Sequence, residues 1–209
     1  MIEIKRASQL ENSREILGEI YADAFQEELV YFSKNKETLA KGFQHMFNLN
    51  HFYIALYDGV PAGMISCVSN EQSVRLEKMM FRKHFGFIKS FFTFKIIKKE
   101  FEKIAKVLDD EASIEFVGVK NEFQGKGIAS FMLDCVLKLP KYSSFLIADV
   151  ADTNLPAVKL YNKKGFIEIE RVKDKHPKTT GINYRLSFKK TIITNLVEAG
   201  LHKTNDIFD

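Results

Sequence analysis

Apolar positions along this chain switch between two periods, and the switches mark its elements. Ile2 and Ile4 alternate with charged residues, which predicts a short edge strand over 2–6. Ser8 and Glu11 have the spacing of a capping box ahead of Ile16, Leu17, Ile20, Tyr21, Ala24 and Phe25, which recur at helical intervals. Asn35 suits the N-cap of a second helix carrying Leu39, Phe43, Met46 and Phe47. Strand-like runs follow over 51–57 and 60–69, joined at Asp58-Gly59, a strong hairpin signal. Residues 75–110 depart from this order. Phe81, Phe85, Ile88, Phe92, Ile96, Ile97, Phe101, Ile104 and Leu108 predict one or two amphipathic helices with Gly86 at the break. Strand and helix then alternate: strand 113–119, helix 125–138, strand 144–150, helix 155–164 and strand 166–172. Pro140 stops the first of these helices, Pro156 opens the second and Gly165 ends it. A polar loop over 173–181 leads to a last strand through Ile182, Tyr184, Leu186 and Phe188.

The composition limits the function classes. A chain of 209 residues with 45% hydrophobic and 28% charged residues has material for one core, so a single domain over 1–190 is expected, with 75–110 as an insertion and 191–209 as a weakly patterned tail. The net charge of +4 suits an anionic ligand without pointing to nucleic acid, and no nucleic-acid partner is expected. No apolar run is long enough to span a membrane, so no stable membrane insertion is expected, and Met1 to Lys5 reads as a strand rather than a signal peptide. Cys67 and Cys135 read as buried thiols of a reducing, cytoplasmic protein. The five histidines show no ligand spacing, so no metal site is expected.

The candidate chemistry lies where strand 113–119 turns into a helix through Gln124-Gly125-Lys126-Gly127-Ile128-Ala129. Glycines let backbone N–H groups approach a phosphate, and the helix start adds free donors and a partial positive charge. The turn is not a P-loop, because no glycine stands five residues before Gly125 and Gly127 follows Lys126. It fits a dinucleotide fingerprint poorly, since Ser130 stands where a third glycine or alanine is required and the loop after Val119 is long.

A second segment, Asn154-Leu-Pro-Ala-Val-Lys-Leu-Tyr161-Asn-Lys-Lys-Gly165-Phe166, narrows the reading. Together with Gln124-x-x-Gly127-x-Ala129 it closely resembles the two signature segments of the GNAT superfamily of acyl-CoA-dependent N-acetyltransferases. The element order agrees over most of the chain; the long 75–110 stretch departs from the family's short connection. The resemblance implies an α/β (α+β) fold with a mixed, strongly twisted sheet of six to seven strands flanked by helices, and here a helical insertion between the third and fourth strands. It implies that strands 113–119 and 144–150 splay apart, with pantetheine against the backbone of Val117, Gly118 and Val119. The CoA pyrophosphate would meet Gln124, Gly125, Lys126, Gly127, Ile128, Ala129 and Ser130.

The resemblance also implies roles, each set beside a plainer one. Tyr161 matches the acid that protonates the departing thiolate; the alternative is packing with Leu160. Asn154 matches a residue that contacts the CoA arm, yet its place before a proline-led helix is that of an N-cap. Glu115 and Asp149 compete as the base that deprotonates the amine, with a water chain as the third option; either carboxylate can instead serve as an ion-pair partner. By period two, Glu115 is expected on the face of Val117 and Val119. The implied activity is direct transfer of an acetyl group from acetyl-CoA to a primary amine in a ternary complex. The rival readings are a non-catalytic acyl-CoA-binding regulatory domain, and a membrane-surface or nucleic-acid role for the basic insertion. The insertion is expected to wall the acceptor pocket or to form a homodimer contact.

Overall fold

The computed structural model describes residues 1–87, 94, 98 and 107–192. Phe91, Phe92 and most of the expected second half of the insertion lie outside the described residues, as does nearly all of the 191–209 tail. Seven strands form one twisted mixed sheet in the order β1-β2-β3-β4-β5-β7-β6. These are β1 (Ile2–Arg6), β2 (Phe52–Tyr57), β3 (Val60–Val68), β4 (Glu111–Val119), β5 (Ser144–Ala151), β6 (Ile167–Lys173) and β7 (Tyr184–Thr191). The described helices are α1 (Ser13–Ala24), α2 (Gln26–Leu29), α3 (Lys36–Phe43), α4 (Lys78–Phe85), α5 (Ile128–Val136), α6 (Leu155–Lys163) and α7 (Pro177–Thr180). The helix α4 occupies the expected insertion between the third and fourth strands, and the short α7 interrupts the expected polar loop.

Each face of the sheet covers its own core. Phe52, Ile54 and Leu56 of β2 pack with α1, α3 and α4 through Leu17, Tyr21, Phe43, Phe81 and Phe85. The intervening Tyr53 and Ala55 pack on the other face with Ile128, Met132 and Leu133 of α5 and Tyr161 of α6. Burial on both faces explains why β2 and β3 read as apolar runs. The first core is largely aromatic: Tyr21 meets Phe25, Phe43, Phe47 and Phe116 at ring separations of 5.1–5.9 Å. The abundant phenylalanine of the sequence is used there.

Local signals met mixed outcomes. Asn35 caps α3 by accepting from the Thr38 N–H at 2.8 Å. Asp58 and Gly59 take φ of 50° and 81°, as a two-residue hairpin turn requires. The Ser8/Glu11 capping box is not formed: Ser8 sits in a 3₁₀ turn over Ala7–Gln9, and α1 starts behind Asn12, which is left-handed and makes no side-chain cap. Helix α5 starts at Ile128 rather than 125, because Gly125 and Gly127 both have positive φ. Cys67 is buried as expected, but Cys135 is only half-buried.

The decisive departure lies in the two central strands. Against β3, Met64 pairs with Gly118 and Ser66 with Glu115, so β4 spends three residues where β3 spends two. The extra residue is a β-bulge at Phe116, whose φ is 51°. The bulge resets the phase of the strand. Ile114, Val117 and Val119 face the α5/α6 core, whereas Phe116 packs against the aromatic core and Glu115 reaches Ser73. Glu115 therefore lies on the opposite face from Val117 and Val119, contrary to the period-two expectation. Strand β5 carries a matching irregularity: Ile147 pairs with Phe188 and Val150 with Leu186, with Asp149 at φ 58°.

Strands β4 and β5 are parallel neighbours only from Glu111–Ser144 to Ser113–Leu146. At this joined end the buried Glu111 carboxylate meets Lys189 Nζ of β7 at 2.7 Å, Ser144 Oγ of β5 at 3.2 Å and the Leu108 N–H at 3.4 Å. Burial alone would raise the Glu111 pKa; Lys189 and the two other donors outweigh it and hold the carboxyl below its usual range. Because the folded pKa is depressed, this contribution to stability is present above the unfolded value and is lost as pH falls through the folded one. Glu111→Gln is expected to cost about 1–3 kcal/mol near neutral pH. Urea denaturation over a pH series should show the difference from wild type closing in acid; a constant difference refutes the assignment.

Candidate active site

Beyond Ser113 and Leu146 the facing edges of β4 and β5 have no partner strand among the described residues, and the two chains part into a wedge. At the C-terminal end of β4, the N–H of Lys120 is still held by the Ala62 carbonyl at 2.8 Å, so the strand remains fixed where the glycine turn leaves it. A 3₁₀ turn over Asn121–Phe123 follows, and Gln124 Nε2 donates to Asn121 Oδ1 at 2.9 Å, bracing the turn. The Asn121 N–H in turn donates to Asp23 of α1 at 2.6 Å.

The turn itself is open. A Cβ built on Gly125 or Gly127 would meet no atom within 4 Å. Gly127 is the N-cap of α5 and has φ 80°, a conformation that favours glycine. Among the described residues no acceptor takes the amide N–H groups of Gly125 to Ser130; the first bonded donor is Phe131, to the Gly127 carbonyl at 2.9 Å. Six successive free donors at a helix start form a cradle for an anion. Lys126 Nζ lies over Phe123 and Tyr57 at 4.7 and 5.0 Å from the ring centroids, which holds the ammonium beside the turn.

Helix α6 supplies the other side. Asn154 accepts from the Ala157 N–H at 3.2 Å, so it is the N-cap of α6. Tyr161 is 6% exposed, its ring set against Phe166 and Phe188 at 6.0 and 5.8 Å. Burial pushes its phenol up to about 12, which keeps the proton in place at any ordinary pH. Its hydroxyl has no hydrogen bond among the described residues. Lys164 is committed elsewhere, to Asp134 of α5 at 2.6 Å.

The two carboxylates sit in unlike surroundings. Asp149 is exposed at the β5 bulge. Glu115 is drawn into the sheet, accepting from Ser73 Oγ at 2.5 Å and Ser113 Oγ at 3.1 Å. Desolvation raises the Glu115 pKa, while the two serine donors and the nearby His51 partly offset it. No local pattern in the sequence marks Ser73, Glu111 or Lys189. Only Ser113, two residues before Glu115 on the same strand, carried a readable signal.

Two open grooves of about 510 and 440 Å³ lie along α1 and α3 instead, lined by Glu19, Asp23, Lys36, Lys41 and Lys120 among others. In the larger groove the charges are largely paired with one another, as in Lys36–Asp23, Lys41–Glu37 and Lys120–Glu19, so it presents a solvated helix surface. Among the described residues no group of His, Cys, Asp and Glu is placed to hold a metal ion, and no helix is long and apolar enough to cross a membrane.

Residues 14–166 match the profile of the Acetyltransferase (GNAT) family. The chain belongs to this family. Solved structures of the same fold include an N-acetyltransferase from Staphylococcus aureus, at 18% identity with a TM-score of 0.57, covering 91% of this chain and 100% of that one. Others are Ard1 from Thermoplasma volcanium, at 14% identity and TM-score 0.55 over 92% and 99% of the two chains, and the ribosomal-protein-S18-alanine N-acetyltransferase of Escherichia coli, at 16% identity and TM-score 0.53 over 97% and 99%. No curated protein matches the chain in sequence. At these identities the neighbours show the fold, and the family match adds acetyltransferase membership.

The Asn154 cap separates structure from ligand contact. Asn154→Ala is expected to lower stability by about 1 kcal/mol, and Asn154→Asp to restore most of it. Thermal denaturation without ligand reads this directly; an unchanged melt for the alanine variant refutes the capping role.

Proposed function

We propose that this GNAT protein is an acetyl-CoA-dependent N-acetyltransferase that moves the acetyl group directly to a primary amine. The observation that carries the reading is the wedge between β4 and β5, which ends at an unpartnered cradle of N–H groups over Gly125 to Ser130. An extended pantetheine fits as a strand-like insert along the free β4 edge at Val117, Gly118 and Val119. The pyrophosphate fits the cradle, with Lys126 alongside. Held there, the thioester and the amine need no diffusional encounter, and proximity supplies much of the rate.

Tyr161 then acts as the acid. Its raised pKa suits a group that must carry its proton until the thiolate leaves. Glu115 is the better-supported base. It lies on the face of α1 and α4, away from the face where Tyr161 packs, so acid and base approach the reacting carbon from opposite sides of the sheet. Its raised pKa also makes it a stronger proton acceptor than an ordinary carboxylate. Helix α4 and Phe94 lie on the Glu115 side, which favours the insertion as a wall of the acceptor pocket.

Binding and chemistry are tested separately. Acetyl-CoA should raise the melting temperature in proportion to the logarithm of its concentration, with little effect from NADH or ATP. Gly127→Asn, which tolerates left-handed φ, should keep the fold and remove most of the shift. No shift at millimolar acetyl-CoA refutes the assignment.

Tyr161→Phe should lower turnover about tenfold or more at near-normal acetyl-CoA affinity. Glu115→Gln should flatten the acidic limb of the rate–pH profile, and Asp149→Asn should leave it in place. CoA release over a panel of polyamines, aminoglycosides, amino acids and peptide N-termini supplies the assay. The reverse result for the two carboxylates moves the base to Asp149.

A further inference from the structure

Glu115 does not stand alone in its strand. Its Oε2 accepts from Ser73 Oγ at 2.5 Å, and its Oε1 accepts from Ser113 Oγ at 3.1 Å. Ser113 lies two residues away on β4, but Ser73 comes from the chain that leads from β3 into α4. Ser73 is 3% exposed, and the backbone from Ser73 to Arg75 is pinned against the 46–48 segment. The Ser73 carbonyl accepts from the Asn48 N–H at 2.9 Å, Val74 forms a bridge with Phe47, and the Arg75 N–H donates to the Met46 carbonyl at 2.7 Å. The hydroxyl is thus presented to Glu115 from a fixed backbone, at little further cost in conformational freedom.

We infer that Ser73 is a positioning residue which orients the Glu115 carboxylate and sets the pH at which the carboxylate becomes available as a base. The inference rests on Glu115 being the base of the proposed transfer. A hydroxyl donor stabilises the ionised carboxylate more than the neutral acid, so Ser73 opposes the desolvation that raises the Glu115 pKa. Among the described residues, the other ionisable groups that interact with this carboxylate are His51 just before β2, which is paired with Glu71 at 3.1 Å, and Cys67 of β3, a buried thiol pushed up to about 12. His51 favours the ionised carboxylate, and Cys67 remains neutral at ordinary pH. Without Ser73, one carboxylate oxygen loses its donor inside the sheet, and Glu115 holds its proton to higher pH.

The arrangement also couples the base to the insertion. Ser73 stands five residues before α4, whose Phe81 and Phe85 are buried in the aromatic core. A shift of that segment alters the donor to Glu115 without touching β4.

The test uses the whole chain with ¹³C-labelled glutamate, Glu115→Gln identifying the resonance. Ser73→Ala should move the Glu115 carboxyl titration to higher pH, and Ser73→Thr should return it toward wild type. The acidic limb of kcat/KM should move with it, lowering kcat/KM about fivefold to tenfold on that limb while the plateau changes little. Ser66→Ala is the control: among the described residues Ser66 Oγ bonds the Glu115 backbone carbonyl, at 3.2 Å, and not the carboxylate, so the titration should stay in place. A Glu115 titration unmoved by Ser73→Ala overturns the inference. If the titration moves and the rate profile does not follow, the Ser73 contact is upheld but Glu115 is not the base, and that part of the proposed function falls.

Discussion

The site depends on two parallel strands being joined at one end and parted at the other. Pairing between β4 and β5 lasts from Glu111–Ser144 to Ser113–Leu146 and then stops. The joined end is held by a buried carboxylate that reaches across β4, β5 and β7 through Glu111, Ser144 and Lys189. Such a charge is tolerated because Lys189 and two hydrogen-bond donors compensate it. The parted end leaves backbone edges inside the sheet without a partner strand among the described residues, an arrangement that favours a ligand able to bond like a strand.

Bulges on both strands accompany the parting. Each adds one residue relative to its other neighbour, β3 for β4 and β7 for β5. A bulge bends its strand and increases the local twist. Each also places a non-glycine residue, Phe116 or Asp149, in left-handed conformation, which costs on the order of 1–2 kcal/mol. For Phe116 the surrounding aromatic packing with Tyr21, Phe47 and Phe52 offsets this cost. The same bulge turns Glu115 away from the α5/α6 side, where the glycine turn and Tyr161 lie. One local irregularity therefore assigns the proposed acid and base to opposite faces.

The two faces then take different tasks. The α5/α6 side offers uncommitted N–H groups at open glycines and a buried phenol whose hydroxyl is unpartnered among the described residues. The α1/α3/α4 side offers a desolvated carboxylate held by two serines, beneath an aromatic core. On the proposed reading the first side holds the acyl donor, and the second receives the amine and its proton.

Much of this was legible in the sequence, for local reasons. Gly125 and Gly127 require backbone freedom, Asp58-Gly59 requires a tight turn, Asn154 before Leu155-Pro156 requires a cap, and apolar periodicity set the strand–helix order; each depends on residues a few positions apart. The resemblance of 124–129 and 154–166 to known signature segments pointed to the family, which the match over residues 14–166 shows, and to the candidate site. The Ser8/Glu11 pattern misled because a capping box states only what a helix start can do, and Asn12 in left-handed conformation began the helix later. The face of Glu115 was not legible, because period two holds only in an unbroken strand and the bulge at Phe116 is defined by register against β3. Ser73, Glu111 and Lys189 were likewise out of reach: their partners are brought to them by sheet order and by the return of the chain before α4. The sequence by itself determined most of the elements and the open glycine turn proposed to take a phosphate. Tertiary structure alone decided which face each carboxylate occupies and what holds it there, since both follow from pairings between residues far apart in the chain.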